Sequence, residues 1–454
     1  MLTFSVVINT FNRRSTLEDT LISLGRQRYK NFEVIVVNGP STDGTNEFLA
    51  QQTGVRVLNT ELRNLSVSRN LGIEAARGDI VAFIDDDAVA DALWLEDLAE
   101  AYSTQEIGGA GGLVYDWTGT ELQYKFSACF RDGRTDFSIR PPFDALLKPG
   151  CDPFLYLQGT NCSFRREALH AIGGFNEQIE YFHDETDVCL RVIDQGYRLA
   201  SLDRAVVYHR YAKSHMRSEH RVVFDPYLSV KNQHIFALQN GSGIYSKEDL
   251  DKSLSNYLEG VHNGGRWAFN NDHLSVEELA HFDKRIAEGQ SKGREQGALT
   301  RPFRHFSDDA TIPFKPFKLA YEGLQLNICF VSSEYPPHDY GGIGRYTKDL
   351  ADEAARQGHS VHVITRGTDG YRVEFDKGVF VHRVLTRTLD QEAVARLPIR
   401  HHLALTSSVY HEVVKVHERH KFDTVLFPLW NIEGLACLCD QRLPSVMTLM
   451  TSLT

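Results

Sequence analysis

Residues 79–88 read DIVAFIDDDA, an apolar run that ends in three consecutive aspartates. The run predicts a buried β-strand, and open α/β sheets bind ligands at the carboxyl ends of their strands. Asp85 and Asp87 are two residues apart, so a bend after the strand can direct both carboxylates at one hard cation. Mg²⁺ and Mn²⁺ take oxygen ligands and often hold a substrate diphosphate. The cluster therefore indicates chemistry on a nucleoside diphosphate; the alternative is an acidic loop with solvated charges.

Apolar strands and amphipathic helices alternate around this run. Strands are predicted over residues 3–9, 32–38, 55–59 and 79–85, and helices over 14–27 and 65–78. The alternation predicts a mainly parallel, doubly wound α/β sheet. Farther along, residues 163–200 are predicted to be helical, 205–209 to form a short strand, and 215–297 to be a more polar helical region.

The chain of 454 residues is long enough for two or three domains. A stretch rich in proline and aromatic residues interrupts the helical pattern, and a second alternation of strands and helices follows it. We expect an α/β domain (1–235), a helical appendage (236–300), a linker (301–325) and a partial second Rossmann-like α/β domain (326–454). The linker either packs on a flanking domain, which is favoured, or docks on a membrane surface through Phe314 and Phe317.

The composition, 42% hydrophobic and 24% charged, is typical of a globular protein rather than a disordered one. A formal net charge of -11 gives no indication of a nucleic-acid partner. Seven scattered cysteines without a spaced pair favour reduced thiols. The first strand begins almost at Met1, which leaves no room for a signal peptide, and no apolar run reaches the roughly 18 residues of a membrane span. We expect a cytoplasmic protein, with any membrane contact peripheral and at the inner face of the plasma membrane.

The turn after the first strand, TFNRR at residues 10–14, contains no glycine. A dinucleotide-binding dehydrogenase needs a glycine fingerprint at this turn. Sugar-phosphate nucleotidyltransferases usually carry a glycine-rich loop there as well. The turn argues against both classes.

Several blocks in the first half of the chain follow one another in a recognisable order. They are VVINTFNRRSTLEDTLISL, FEVIVVNGPSTDGT, NLSVSRNLGIEAARGDIVAFIDDDA, GTNCSFRREALHAIGGFNE, HDETDVCLRVIDQGYRL and AVVYH. Over about residues 3–235 the chain resembles a family 2 glycosyltransferase of GT-A fold. The resemblance implies an inverting enzyme that uses Mn²⁺ or Mg²⁺. It would move a sugar from a nucleoside-diphosphate sugar, UDP- or dTDP-linked, to an oligosaccharide or lipid-linked glycan in surface polysaccharide synthesis.

The resemblance also implies residues that bind the nucleotide sugar. They would be Thr10, Asn12, Arg13, Asn38, Arg69, Asp85 and Asp86. Thr10 and Asn38 would face the base, but Asn38 stands where the family usually has aspartate, so the identity of the base stays open. Arg69 either reaches the diphosphate or base, or is a solvent-facing helical arginine. Asp43 is either a ligand or a helix cap.

By the same resemblance the metal ligands would be Asp87, Asp85 and His209; the alternative for His209 is a structural role. An inverting transferase also needs a carboxylate that takes the proton from the acceptor hydroxyl. The family's Glu-Asp pair is swapped here: by position Glu185 is the base, by side-chain type Asp184, and Glu185 is favoured. The acidic cluster is otherwise a helix start that satisfies exposed amides, and its last member, Asp187, is predicted to pair with residue 191.

The segment ICFVSSEYPPHDYGGIGRYTKDLADEAARQGHSVHVIT resembles the start of a family 4 glycosyltransferase of GT-B fold. Its GGIGR loop (341–345) enters a predicted helix, so its amides can cradle a phosphate. In that family a second Rossmann-like domain mainly holds the sugar nucleotide, so we expect residues 320–454 alone not to transfer sugar. The unit is either part of a truncated two-headed enzyme or an acceptor or docking module. Two other functions stay open for the chain: a non-catalytic glycan-binding or scaffold protein, and a sugar-phosphate nucleotidyltransferase.

Overall fold

The computed structural model describes residues 1–212, 223–307, 311–337, 341–386 and 400–449. The strands of the first half are β1 (Phe4–Thr10), β2 (Phe32–Asn38), β3 (Val55–Asn59), β4 (Ile80–Ile84), β5 (Ala88–Ala90), β6 (Ile107–Gly111), β7 (Val114–Tyr115), β8 (Ala128–Cys129), β9 (Thr135–Asp136), β10 (Phe154–Leu155), β11 (Asn161–Arg165), β12 (Arg198–Ser201) and β13 (Val207–His209). The helices of this half are α1 (Arg14–Leu24), α2 (Thr45–Ala50), α3 (Leu65–Ala75), α4 (Trp94–Ala101), α5 (Arg166–Ala171) and α6 (Asp184–Asp194), with a 3₁₀ turn at Asp144–Leu146.

A seven-stranded mixed sheet forms the centre of the first domain, in the order β12-β6-β11-β4-β1-β2-β3. Strands β1 to β4 are parallel to one another, whereas β11 runs antiparallel between β4 and β6. The apolar runs of β1, β2 and β4 are buried because both faces of the sheet are covered. The predicted mainly parallel, doubly wound sheet is thereby confirmed, with β11 as its antiparallel strand.

The helix predicted over residues 163–200 is wrong in part. This stretch begins at the end of β11, passes through α5 and α6 and ends in β12. Cys162 and Phe164 of β11 are completely buried in the sheet, where β11 pairs with β4. This short run shows no clear alternation of apolar and polar residues, so the sequence pattern alone does not distinguish a strand from a helix. Gly173 and Gly174, both with positive φ, lie just after α5 and separate it from α6.

Two small sheets lie beside the main one. Strands β10, β8 and β9 form an antiparallel sheet, and β5, β13 and β7 form another. In the second of these, β13 runs antiparallel to β5 and places His209 opposite Ala88. The end of β13 therefore lies next to the aspartate cluster that precedes β5.

Three further helices, α7 (Tyr227–Gly241), α8 (Lys247–Asn270) and α9 (Val276–Gly297), form the helical appendage. They share a small apolar core that includes Val230, Ala268 and Phe282. Helix α7 continues without a break through residue 235, where the expected domain boundary lies. It also contributes Phe236 to the core of the first domain, so α7 packs in the cores of both the first domain and the appendage.

The proline-rich segment that follows contains no helix or strand in its described parts, 301–307 and 311–325. The backbone amide of Phe317 donates to the carbonyl of Phe32 at 2.8 Å, and the two rings lie 5.5 Å apart. The backbone amide of Lys315 donates to Glu33 at 3.2 Å. The segment packs along the first domain through these contacts, as favoured from the sequence.

The second α/β unit is built around a six-stranded sheet. Its strands are β14 (Asn327–Ser332), β15 (Ser360–Arg366), β16 (Arg372–Asp376), β17 (Val379–Val384), β18 (Thr424–Pro428) and β19 (Ser445–Thr448), and its helices are α10 (Gly342–Arg356), α11 (Arg400–His420) and α12 (Leu435–Cys439). The order is β16-β17-β15-β14-β18-β19, and all neighbours are parallel except the edge strand β16. The predicted Rossmann-like character is confirmed.

The start of α10 already carries a carboxylate. The backbone amide of Gly341 donates to Oε2 of Glu334 at 2.7 Å. A carboxylate in this position satisfies an amide of the helix N-terminus and favourably faces the positive end of the helix dipole. The amide of Gly341, predicted to help bind a phosphate, is thus bound to the carboxylate of Glu334. Residues 338–340 lie outside the described parts.

The two α/β units pack against each other behind β5 and β13. Val89 of β5 is buried together with Val373, Phe375 and Phe380 of the second unit. The ring of Tyr208 lies 5.4 Å from that of Phe380. The second sheet therefore supports the strand that carries His209.

Polar contacts complete this interface. Asp91 accepts from Arg419 at 2.8 Å and lies 3.1 Å from Nε2 of His420. Burial acts to raise the pKa of Asp91, but the two basic groups hold it well below its usual range. The backbone amide of Val373 donates to the carbonyl of Thr118 at 2.8 Å.

Within the described ranges, no helix combines the length and the apolarity needed to cross a bilayer.

Candidate functional site

Two aspartates and one histidine meet at the carboxyl end of β4. Asp85 directly follows β4, Asp87 precedes β5, and the antiparallel pairing of β5 with β13 brings His209 beside them. One ligand atom from each residue lies within 4.8 Å of the others. Nε2 of His209 is 3.2 Å from Asp87 and 3.8 Å from Asp85. The three residues predicted as metal ligands are thus brought together.

Asp87 is the most strongly held member of this cluster. Arg13 lies 3.3 Å from its carboxylate, and the backbone amide of Ala212 donates to it at 2.8 Å. Burial acts to raise the pKa of Asp87, but His209, Arg13 and this amide lower it to about 2. Asp87 is therefore ionised over the physiological range, and Arg13, predicted to bind the nucleotide sugar, contacts it directly.

Gln123 orients the histidine of the cluster and was missed in the sequence. Its side-chain amide lies 2.8 Å from Nδ1 of His209. A hydrogen bond at one ring nitrogen determines whether the other nitrogen presents a lone pair or a proton. Gln123 lies in the irregular segment between β7 and β8, where no periodic pattern indicates its direction.

Asp86 differs from its two neighbours. It is buried, and burial together with the charge of Asp87 raises its pKa to about 8. Asp86 therefore holds its proton more tightly than Asp87 does. Its predicted role in nucleotide-sugar binding stays a prediction.

A buried arginine connects the second group of carboxylates to the first. Asp184 and Arg69 form an ion pair with exposed fractions of 2% and 3%. Arg69 also donates to the carbonyl of Gly159 at 3.3 Å, and the neighbouring Thr160 donates its hydroxyl to Asp85. The acidic groups at the carboxyl end of β4 and at the start of α6 therefore belong to one contiguous network of hydrogen bonds and ion pairs. The solvent-facing alternative for Arg69 is wrong.

Glu185 has a different environment from Asp184. It is half-buried and lines a cavity of about 540 Å³. Burial raises the pKa of Glu185 well above its usual range, and Asp184 acts in the same direction while Arg69 opposes both. A Cβ built at Gly159 would lie 3.2 Å from the Glu185 carboxylate. The absence of a side chain at Gly159 thus leaves room for this carboxylate.

The two residues before α6 have unusual backbone conformations. Phe182 and His183 have φ values of 59° and 57°, in the left-handed region that costs about 1–2 kcal/mol per non-glycine residue. Nε2 of His183 lies 2.8 Å from Gln233, and its ring stacks 5.1 Å from that of Phe236. These contacts with α7 hold the turn that presents Asp184 and Glu185, and strain of this kind is concentrated at functional sites.

Asn38 is directed into the protein. Its side chain is 1% exposed. It donates to Asn46 at 2.6 Å and to Asn59 at 3.3 Å, and it accepts from Ser41 at 2.8 Å. In the described structure its amide is therefore engaged with neighbouring side chains.

Thr10 lines a second, smaller cavity. This cavity measures about 140 Å³ and also borders Phe11 and Arg63, whose guanidinium lies 4.5 Å from the Phe11 ring centre. Asn12 does not line it in the described structure; its side-chain oxygen accepts from the backbone amide of Thr42 at 2.7 Å. A flat aromatic and a guanidinium together suit a planar heterocycle.

Two charged residues of the recognised blocks have structural contacts. Asp43 accepts from the backbone amides of Arg14 at 3.0 Å and Thr45 at 3.2 Å. It therefore satisfies amides at the starts of two helices, as the capping alternative predicts. Asp187 accepts from Arg191 at 2.8 Å, which confirms the predicted pair.

The model of the family described as "Glycosyl transferase family 2" matches residues 5–173. The amylovoran biosynthesis glycosyltransferase AmsB of Erwinia amylovora is 37% identical over 239 residues, which are 47% of this chain and 73% of AmsB. The chain belongs to glycosyltransferase family 2. The glucosyl-dolichyl phosphate glucuronosyltransferase of Haloferax volcanii is 28% identical over 246 residues, 49% of this chain and 71% of that protein. This family 2 glycosyltransferase thus has relatives in polysaccharide biosynthesis.

The second unit of this family 2 chain matches another model, described as "Glycosyl transferase 4-like domain", over residues 341–453. Among solved structures, mannosyltransferase PcManGT from Pyrobaculum calidifontis in complex with GDP-Man and Mn2+ gives a TM-score of 0.38 at 17% identity, covering 65% of this chain and 84% of that one. S. aureus TarS in complex with UDP-GlcNAc gives a TM-score of 0.41 at 14% identity, covering 65% of this chain and 91% of that one.

Proposed function

We propose that this chain is a metal-dependent inverting glycosyltransferase that uses a nucleoside-diphosphate sugar. The observation that carries the proposal is the contiguous network from Asp85 through Thr160, Gly159 and Arg69 to Asp184, with Glu185 beside it. This network supports the proposal because the reaction needs both a cation near the leaving diphosphate and a separate carboxylate near the acceptor. The acceptor is a glycan hydroxyl, and the pathway is surface polysaccharide synthesis at the cytoplasmic side of the cell.

The donor set fits a divalent cation. Asp85 and Asp87 offer carboxylate oxygens and His209 offers an imidazole nitrogen, all within 4.8 Å. Hard oxygen donors of this kind suit Mn²⁺ or Mg²⁺. When bound, such an ion would supply positive charge for the diphosphate oxygens of the leaving group. Arg13 contacts the same cluster and would add positive charge at its edge.

Glu185 is the proposed catalytic base. Asp184 is fully buried against Arg69, whereas Glu185 is half-buried and lines the large cavity. The acceptor oxygen forms the new bond to the anomeric carbon, and its proton moves to the Glu185 carboxylate. The bond between that carbon and the diphosphate oxygen breaks, and the nucleoside diphosphate leaves with the electron pair. Asp184 and Arg69 position the start of α6 rather than react.

The smaller cavity is the proposed site for the nucleotide base. Thr10 lines it, and Phe11 and Arg63 provide an aromatic face and a guanidinium. Stacking does not discriminate strongly among bases, which is consistent with the absence of aspartate at residue 38. UDP- and dTDP-linked sugars are the first donors to test.

A donor screen by nucleotide release, with and without Mn²⁺, tests the proposal. Glu185→Gln should lower kcat by about 10²–10⁴-fold, the usual contribution of a general base, and leave Mn²⁺-dependent nucleotide binding unchanged. Glu167→Gln, an exposed carboxylate on α5, is the matched control and should keep wild-type turnover. Full turnover in Glu185→Gln would contradict the assignment of the base.

The same screen separates the other two functions. Pyrophosphate released from a nucleoside triphosphate and a sugar phosphate would identify a nucleotidyltransferase. A scaffold would show no Mn²⁺-dependent nucleotide binding by calorimetry. Either result would replace the proposal.

The second unit is proposed to have a supporting role in this reaction, with the chain dividing at the segment of residues 301–325. It packs behind the strand that carries His209, and Glu334 already engages the start of α10. Sugar transfer by residues 320–454 alone would overturn this.

A further inference from the structure

The cavity of about 540 Å³ at Glu185 lies between the first domain and the helical appendage. Its walls combine the start of α6 with α7, α8 and α9. Pockets that bind organic ligands typically have volumes of about 300–1,000 Å³ and mainly apolar linings. This cavity has that size, and it shares Glu185 with the proposed site.

The wall formed by α8 is apolar along one face. Tyr257, Val261, Gly264 and Ala268 follow one another at helical spacing and all line the cavity. Phe282 of α9 forms part of the wall behind them and is 2% exposed. Helices α8 and α9 therefore contribute a mainly aliphatic and aromatic surface to the cavity, whereas α7 adds the hydroxyl of Ser229.

Few titratable side chains line the described cavity. Of the described lining residues, Glu185 is the only carboxylate, and none is lysine or arginine. His183 also lines it, but burial lowers the pKa of this imidazole, so it is uncharged at neutral pH. The cavity thus has one carboxyl group at one end and mainly apolar walls elsewhere, with the hydroxyl groups of Thr135, Thr186 and Ser229 among them. This combination suits a ligand with a hydroxyl at one end and an apolar body, and it does not suit a free, fully hydrated oligosaccharide.

Gly264 is exposed and lines the cavity. A Cβ built at this position would meet no atom within 4 Å. A larger side chain at Gly264 therefore has room, and we expect it to narrow the cavity. Gly260 lies one turn earlier on the same helix, has equally open surroundings and does not line the described cavity.

We propose that this cavity binds the apolar chain of a lipid-linked acceptor and so places the accepting hydroxyl at Glu185. The assignment of that hydroxyl rests on the proposed function, whereas chain binding itself does not. At about 30 Å³ for each water-sized group, the cavity has room for a segment of roughly 15–20 such groups, enough for part of an alkyl or isoprenoid chain. Helices α7 to α9 are then the part of this chain that selects an amphiphilic acceptor.

Alkyl glucosides of increasing length test the proposal without donor, metal or turnover. Calorimetry of the full chain with methyl, hexyl and octyl β-glucoside, below their micelle-forming concentrations, should show tighter binding with length. The gain is about three- to fourfold in Kd for each buried methylene. Gly264→Leu should abolish this dependence, and Gly260→Leu should retain it. Trp267→Ala removes an aromatic lining residue and should weaken octyl glucoside binding several-fold, with circular dichroism confirming the fold.

Equal affinity for the three glucosides in the wild-type chain would overturn the proposal. So would an unchanged dependence on length in Gly264→Leu, because the chains would then bind elsewhere. If affinity increases with chain length but no donor gives nucleotide release, chain binding in the cavity is supported and the proposed transferase reaction is contradicted. If nucleotide release occurs but affinity does not depend on chain length, the reaction is supported and the lipid-linked acceptor is contradicted.

Discussion

Replacing Gln123 with alanine should weaken the binding of Mn²⁺ to the cluster formed by Asp85, Asp87 and His209. The Gln123 amide lies 2.8 Å from Nδ1 of His209. A metal on Nε2 requires the proton on Nδ1, where the amide oxygen of Gln123 accepts it after the amide turns. Without this partner, the imidazole can rotate or carry its proton on Nε2, and both changes compete with ligation.

The size of the effect follows from the one contact that is lost. A neutral hydrogen bond contributes about 0.5–1.5 kcal/mol net, and about 1.4 kcal/mol is tenfold in a binding constant. The His209 ring keeps Tyr211 beside it, with ring centres 4.3 Å apart, and both carboxylates remain. We therefore expect the affinity for Mn²⁺ to fall by about two- to tenfold. This lies at or below the lower limit of the 10–100-fold range that is typical for outer-sphere partners.

Calorimetric titration of the full chain with MnCl₂ measures this directly. Gln123→Glu should keep or increase the affinity, because a carboxylate accepts the Nδ1 proton and adds negative charge. Gln51→Ala, which removes an exposed glutamine at the end of α2, is the matched control and should bind Mn²⁺ as the wild type does. An unchanged affinity in Gln123→Ala, or an equal loss in Gln51→Ala, would refute the reasoning.

Three further outcomes concern stability and are measured by thermal or denaturant unfolding. Asp184→Asn should lower the free energy of unfolding by about 3–5 kcal/mol, because Arg69 would remain buried without its counter-charge. A decrease below about 1 kcal/mol would contradict this. The folded-state pKa of Asp91 is lowered, so its ionised form stabilises the fold above the unfolded value of about 3.9 and this contribution falls as the pH decreases below it. The Tm difference between wild type and Asp91→Asn should accordingly stay constant from about pH 6 to about pH 4 and shrink as the pH decreases further; a difference that stays constant below about pH 4 would exclude the interface carboxylate as its source. Gly119→Ala should lower Tm more than Gly150→Ala does. Both glycines have positive φ, but only at Gly119 would a Cβ meet a backbone oxygen, that of Val373 at 2.5 Å. Equal decreases in Tm would argue against tight packing at Gly119.

The metal cluster could be predicted because its residues lie at strand ends. A run of five apolar residues fixes β4, and the next residues then necessarily lie at the carboxyl edge of the sheet. AVVYH likewise predicts a short strand with His209 at its end, but it does not indicate which strand it pairs with. The local pattern therefore groups Asp85 and Asp87, whereas the grouping of His209 with them came from the resemblance to family 2 glycosyltransferases.

Other parts of the site depend on contacts that no local pattern encodes. The partner of Arg69, Asp184, is 115 positions away in the chain, and a helical arginine gives no indication of which face is buried. Gln123 lies in irregular structure without periodicity. The left-handed turn at Phe182 and His183 is formed by residues that disfavour it, so propensity predicts another conformation and tertiary contacts decide.

The packing of Tyr208 on Phe380 has a practical consequence for dissecting the two halves. Cutting the chain after residue 325 would leave Val89 and Tyr208 without their apolar neighbours and Asp91 without both of its basic partners. His209 would then lie on a small sheet with water on one side. Weak turnover by such a fragment would indicate a loosened sheet at His209, and reading it as proof of a second reaction centre in the removed half would be a mistake.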